Sequence, residues 1–389
     1  MENSNRIKNL PPYLFAEIDR MINEAKADGM DVINFGIGDP DQPTPQNIIN
    51  KMKEAIQDPT THSYPSYEGL AEFRTAVSRR YRKRFKVELD PKTEVVSLIG
   101  SKEGIAHFPL CYINSKESAL VPDPGYPVYK TSILLADGKP IMMPLLEENN
   151  FLPDLANIRE EDAEKAKIMY LNYPNNPTGA MASFEFFEEV IAFAKKYNII
   201  VAHDAAYTEI YLDEEVPHSI LEVEGAKDIA IEFNSLSKPF NMTGWRIGWA
   251  CGKEEVIESL GRLKTNIDSG IFEAIQYAGI EALYNSEDCI KEVTELYSER
   301  RDLLVEGLSE LGWDVEPNKA TFYLWIEVPE DLDSSEFSKK LFKKSGVFFT
   351  PGVGWGEHGE NFLRIALTVE IDRIKEALER IEESNFVYK

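Results

Sequence analysis

The stretch IAIEFNSLSKPFNMTGWRIGWACG, residues 229–252, holds two apolar runs separated by a polar loop. IAIEFN (229–234) and RIGWACG (246–252) have the length and the branched or aromatic content of buried strands. Ser235, Ser237 and Lys238 come directly off the end of the first run, and Arg246 opens the second. A lysine held half out of water has a lowered pKa and can form a Schiff base with an aldehyde. Arginine offers a rigid fork suited to a phosphate dianion, and the serines add hydroxyl donors. Taken alone, Lys238 reads better as a surface lysine before a proline, so the rest of the chain decides.

Working outward, EVVSLIG (94–100), SALVP (118–122), KIMYLN (167–172) and IIVAH (199–203) are further strand-like runs. Amphipathic stretches lie between them, clearest in SFEFFEEVIAFAKKY (183–197), with apolar residues three and four apart. This alternation predicts an α/β fold whose largely parallel sheet is covered on both faces and gathers ligands at its carboxyl edge. After about residue 280 the pattern changes. SEDCIKEVTELYSERRDLLVEGLSELG (286–312) predicts a long helix, and TFYLWIEV (321–328) and NFLRIALT (361–368) predict strands of a smaller α+β domain. PPYLFAEIDRMINEAKADG (11–29) predicts an irregular arm followed by a helix. The expected division is an arm with part of the small domain (1–45), a large domain (46–285), and an interdomain helix with the rest of the small domain (286–389).

Composition narrows the function. A chain of 389 residues exceeds one typical core, and 43% apolar residues suffice for a packed interior. The 42 basic against 67 acidic residues leave a net charge of −25, which argues against a nucleic-acid or anionic-membrane partner. Cys111, Cys251 and Cys289 are widely spaced and odd in number, as suits a reducing compartment. MENSNRIKNL has no apolar signal core, so a cytoplasmic protein is expected. The five histidines show no ligand spacing, so no metal is expected; His203 reads as support for the adjacent Asp204 carboxylate.

The polar residues at the strand ends carry the chemistry. Asp204 follows IIVAH, where an unpaired carboxylate is costly and a charged partner is expected. Asn176 lies in the turn-forming NYPNNPTG after KIMYLN. GSKEG (100–104) ends a strand and opens a helix, offering amide donors to an anion. Each has an ordinary structural reading alone: an N-cap, a tight turn, a Gly-Ser turn. Together with Lys238 and Arg246 they are the parts a pyridoxal 5′-phosphate site needs, a lysine for the aldehyde and an aspartate for the pyridine nitrogen.

NNPTG, DAAY, SLSK and GWRIGW resemble the signature segments of the class I/II, fold-type I aminotransferases. The resemblance covers nearly the whole chain, with spacings of 28 residues from Asn176 to Asp204, 34 to Lys238 and 8 to Arg246. It implies a large domain with a mostly parallel seven-stranded sheet and a smaller α+β domain. It further implies that Lys238 carries the cofactor and moves the substrate proton, while Asp204 pairs with the pyridine nitrogen. Tyr207 and Asn176 would contact the ring oxygen and Tyr126 would stack on the ring. Ser101, Lys102, Ser235, Ser237 and Arg246 would surround the phosphate. Tyr64, in HSYPSYEGL, would reach the phosphate of a second subunit, implying a homodimer with shared sites. Arg364 would grip the substrate α-carboxylate, with Gly38 lying against it.

Three segments resemble those of the diaminopimelate-specific members: GSKEG, PPYLFAEIDR and KTNIDSGIFEAIQ (264–276). These imply LL-2,6-diaminopimelate as donor and 2-oxoglutarate as acceptor, with Lys102 meeting the distal carboxylate and Glu103, Tyr13 and Tyr126 completing the distal pocket. The SGIFEAIQ segment lacks an asparagine expected there. Aspartate, alanine and aromatic aminotransferases, or a β-lyase cleaving a carbon–sulfur bond on the same scaffold, remain alternatives.

Overall fold

The computed structural model describes residues 2–11, 14–329, 333–384 and 386. Twelve strands are described: β1 (Ile33–Asn34), β2 (Val95–Leu98), β3 (Ser118–Asp123), β4 (Lys139–Pro144), β5 (Ala166–Asn172), β6 (Ile200–Asp204), β7 (Ala230–Ser235), β8 (Gly248–Gly252), β9 (Tyr323–Glu327), β10 (Val347–Phe348), β11 (Thr350–Pro351) and β12 (Phe362–Ala366). Seven form one sheet in the order β2-β8-β7-β6-β5-β3-β4. All neighbours pair in parallel except β8, which runs against both β2 and β7. This is the α/β architecture expected from the alternation of strand-like and helical stretches.

The central strands are buried on both faces because helices cover both. Apolar side chains of Ala71–Phe85, Phe184–Tyr197 and Glu273–Asn285 build the core on one face. Those of Ser101–His107, Val128–Leu135 and Glu254–Ile267 build the other. Phe184–Tyr197 illustrates the local logic. Ser183 caps its first turn by accepting from the Phe186 amide, and Asn198 ends it in the left-handed conformation at φ 55°.

β4 escaped the sequence reading. Its KPIMMP carries two prolines and is half-exposed at the sheet edge, where lost amide donors cost little. The two-residue strands β1, β10 and β11 are too short to show any alternation.

A second core gathers β9 and β12 with the helices Glu287–Glu310, Ser334–Ser345 and Ile371–Glu383. The order β11-β12-β9 is antiparallel, and β1 pairs in parallel with β10. The N-terminal segment therefore joins the C-terminal part of the chain. Among the described residues no helix is long and apolar enough to cross a membrane.

Candidate active site

Strand direction brings the carboxyl ends of β2, β3, β5, β6 and β7 to one edge, together with the start of β8. A cavity of about 520 Å³ opens there. Its floor is Ser101, Lys102, Tyr126, Asn172, Asn176, Asp204, Tyr207, Ser235, Ser237, Lys238 and Arg246. The opposite wall comes from Ile18, the loop Gly36–Asp39, Tyr323, Thr350 and Arg364. Of the predicted site residues that the structure describes, Tyr64 and Glu103 do not line it. Tyr64 is 93% exposed on the chain's surface, and Tyr13 lies outside the described residues.

Asp204 ends β6, buried at the cavity wall. Its Oδ2 accepts from the Tyr129 hydroxyl at 2.8 Å, and the Asn172 side-chain amide donates to its backbone oxygen at 2.8 Å. Oδ1 has no hydrogen-bond partner among the described residues. Burial pushes the carboxyl pKa from 3.8 up to about 6, outweighing the pull of Tyr129, His203, the Ala206 amide and Lys238. His203 does not hold this carboxylate, contrary to the expectation from its position. Consecutive strand residues face opposite ways, and its ring bonds Glu232 at 3.0 Å and the Tyr173 carbonyl at 3.1 Å.

A stability consequence follows from Asp204. Its folded pKa lies above the unfolded one, so it destabilises the cofactor-free fold once ionised. The penalty is absent below pH 3.8 and complete above about 6. It amounts to roughly 3 kcal/mol. In urea unfolding, wild type minus Asp204→Asn should lose about that much stability between pH 4 and 7. A difference that grows with pH would contradict the assignment.

Lys238 is half-buried, and its Nζ donates to the Gly38 carbonyl at 3.0 Å. Burial lowers its pKa, and the charges of Arg364 and Arg246 act in the same direction against Tyr323 and Asp39. The Tyr207 hydroxyl shares a 3.1 Å hydrogen bond with that of Tyr323. A Cβ at Gly38 would collide with the Tyr323 ring, so only glycine lets the loop approach this closely.

Arg364 sits on β12 beside Thr350 and Trp325, 4% exposed. Its guanidinium lies 4.2 Å from the Tyr323 ring centroid and 4.3 Å from that of Trp355. It donates to Asn176 Oδ1 at 3.0 Å and to the Gly36 carbonyl at 2.8 Å. Thus Gly36 contacts Arg364, whereas Gly38 contacts Lys238. The loop carrying both is anchored by a two-pronged ion pair from buried Arg300 to Asp41, at 2.8 and 2.7 Å. Burial raises the Asp41 pKa, but Arg300 outweighs it and the net shift is downward.

Arg246 adopts φ 54°, donates to the Thr243 carbonyl at 2.7 Å and lies against Gly100. Gly100 has φ 75°, and a Cβ there would strike the guanidinium. Lys102 lines the cavity with its ammonium 5.8 Å from the Tyr126 ring centroid. Glu103 does not, which corrects its expected part in the distal pocket. One helical residue on from Lys102, it turns away to Lys264 at 3.0 Å, His107 at 2.9 Å and the Ile99 amide at 3.1 Å. Burial pushes its pKa up, but His107 and Lys264 win and bring it down to about 2. Glu103, His107 and Asp268 bring their ligand atoms together, but the Lys264 ammonium already lies among them.

Several contributors escaped the sequence reading: Tyr129, Asn172, Tyr323, Trp355 and Arg300. Tyr129 had a usable signal, standing three residues after Tyr126 at the start of a helix. Asn172, Tyr323 and Arg300 touch their partners across more than 30 residues of sequence, beyond the reach of local pattern, and Trp355 meets Arg364 across a loop that carries no periodicity.

Comparison with known proteins agrees with this geometry. The family profile of aminotransferase class I and II matches residues 30–381. The chain is 69% identical over 389 residues to the LL-diaminopimelate aminotransferase of Halothermothrix orenii, covering 100% of both. It is 53% identical over 381 residues to that of Moorella thermoacetica, covering 98% of both. The substrate-bound structure of BacF from Bacillus subtilis superposes with a TM-score of 0.95 at 36% identity, covering 100% of this chain and 99% of that one. With Lys238, Asp204 and Arg246 of the signature segments and Arg364 of the small domain brought to one cavity, the chain belongs to the class I and II aminotransferases.

Proposed function

We propose that the cavity binds pyridoxal 5′-phosphate and that the chain moves an amino group from LL-2,6-diaminopimelate to 2-oxoglutarate, a step of lysine biosynthesis. The observation that carries this reading is the opposition, in one cavity, of Lys238 and an Asp204 oxygen that is buried without a partner.

The residues fit the cofactor. The orphan Oδ1 suits a protonated pyridine nitrogen, since buried acceptors rarely go unmet. Lys238, with its depressed basicity, suits an aldehyde. Arg246, Ser101, Ser235 and Ser237 suit a phosphate dianion. When bound, the cofactor supplies a ring that draws electrons from the substrate α-carbon.

The chain's own residues do the rest. Asp204 holds the proton on the ring nitrogen. Lys238, whose neutral amine is favoured by burial, takes and returns the proton at the substrate α-carbon. Tyr126 would cover a ring face, and Tyr207 and Asn176 would reach the ring oxygen. Arg364 grips the α-carboxylate, its fork pre-oriented by Asn176 and the Gly36 carbonyl. Lys102 would meet the distal carboxylate.

The division at residues 45 and 285 belongs to this reading, supported by separate hydrophobic clusters around the two sheets. So does a cytoplasmic homodimer. Tyr64, Tyr67 and Ile267 are exposed, and Gln276 ties their two segments together by accepting from the Leu70 amide at 2.7 Å. Such a face suits a second copy whose phosphate Tyr64 would reach.

Diaminopimelate as donor is supported by the names of the relatives at 69% and 53% identity. The test is a comparison of kcat/KM with 2-oxoglutarate across LL-diaminopimelate, meso-diaminopimelate, lysine, aspartate, alanine and phenylalanine. LL-diaminopimelate should lead every other donor by about 100-fold or more, because donors that leave the distal polar groups unmet are rejected by up to about 10⁴-fold. A lead for aspartate, alanine or phenylalanine would overturn the substrate, and ammonia release in place of glutamate would overturn the reaction.

A further inference from the structure

Tyr129 is fully buried and makes the only side-chain hydrogen bond to the Asp204 carboxylate among the described residues. Its position is fixed from several sides. The ring stacks on Tyr170, centroids 5.0 Å apart and planes 20° apart, and Tyr170 is itself held by a hydroxyl bond to the Ile105 carbonyl at 2.9 Å. Tyr126 meets the ring edge-on at 5.8 Å, and the Tyr129 amide donates to the Tyr126 carbonyl at 3.0 Å. The hydroxyl donates to Oδ2 at 2.8 Å and leaves Oδ1, also buried, without a hydrogen-bond partner among the described residues.

A phenol donating to one oxygen favours the ionised carboxylate and fixes the direction of the other. In a site with little water, the proton shared between a carboxylate and a ring nitrogen goes to the more basic of the two. Resting on the reading of this cavity as a pyridoxal phosphate site, we propose that Tyr129 is the positioning residue for Asp204. Its hydroxyl keeps that carboxylate ionised and aimed, so that the proton stays on the ring. Without the hydroxyl, Asp204 becomes the stronger base. The proton then passes from the ring nitrogen to Oδ1, leaving a neutral ring beside a neutral acid.

The experiment loads wild type, Tyr129→Phe, Tyr170→Phe and Asp204→Asn with pyridoxal phosphate labelled with 15N at the ring nitrogen. It reads the 15N chemical shift and the cofactor dissociation constant. Tyr129→Phe keeps the stacked ring. Its resonance should move from the protonated position toward the neutral one set by Asp204→Asn, and its affinity should fall about tenfold. Tyr170→Phe removes a buried hydroxyl from the same stack without touching Asp204 and should leave the resonance in place. A Tyr129→Phe resonance coinciding with wild type would overturn the proposal, as would an equal displacement in Tyr170→Phe. A wild-type resonance already at the neutral position would overturn the Asp204 reading itself and this inference with it.

Discussion

Lys238→Ala is expected to lower turnover by about 10⁴-fold or more while the protein still binds pyridoxal phosphate without a covalent bond. The size follows from two functions lost together, the nucleophile toward the aldehyde and the base at the α-carbon. Binding survives because Asp204, Ser101 and Arg246 reach the cavity from β6, β2 and the start of β8, and the side chains of Ser235 and Ser237 do not depend on the lysine. Among the described residues its amine makes one hydrogen bond, to the Gly38 carbonyl, so removal leaves little unpaired. Single-turnover rates with cofactor-saturated variant measure the loss. Activity near wild type would remove Lys238 from the reaction.

Arg364→Ala should raise KM for every amino-acid donor and for 2-oxoglutarate alike, by roughly 10²–10³-fold, the scale of a desolvated charge pair broken on one side. All these substrates share the α-carboxylate, so the effect should be uniform. The surroundings enlarge it. The guanidinium fills a slot between Tyr323 and Trp355, and its loss strands Asn176 Oδ1 and the Gly36 carbonyl. Arg364→Lys should recover little, because an ammonium cannot bridge both partners with a planar fork. An increase confined to one donor would move Arg364 to side-chain recognition.

The cavity floor was legible because a parallel sheet translates local sequence into position. Each strand-like run ends at the same edge, so the polar residues after KIMYLN, IIVAH and IAIEFN had to meet. Arg246 followed because β7 and β8 form an antiparallel pair, which returns the chain to that edge at Ser235 and Gly248. The opposing wall was legible only through resemblance, which carried Arg364 and Gly38 but not Tyr323, Trp355 or Arg300. Tyr323 and Arg300 act across sequence separations that no periodicity encodes, and Trp355 reaches Arg364 from a short irregular loop. Local adjacency also misled twice. His203 beside Asp204 faces the other side of its strand, and Glu103 beside Lys102 faces another side of its helix. In both cases the period of the element, not nearness in sequence, decided the neighbour.

The most direct measurement is the near-visible spectrum of the cofactor-loaded protein during addition of LL-diaminopimelate with no oxoacid present. Amino transfer predicts that the band of the lysine-bound aldehyde form is replaced by that of the amine form, and that 2-oxoglutarate restores it. An unchanged band, or a retained band with ammonia accumulating, would contradict the account.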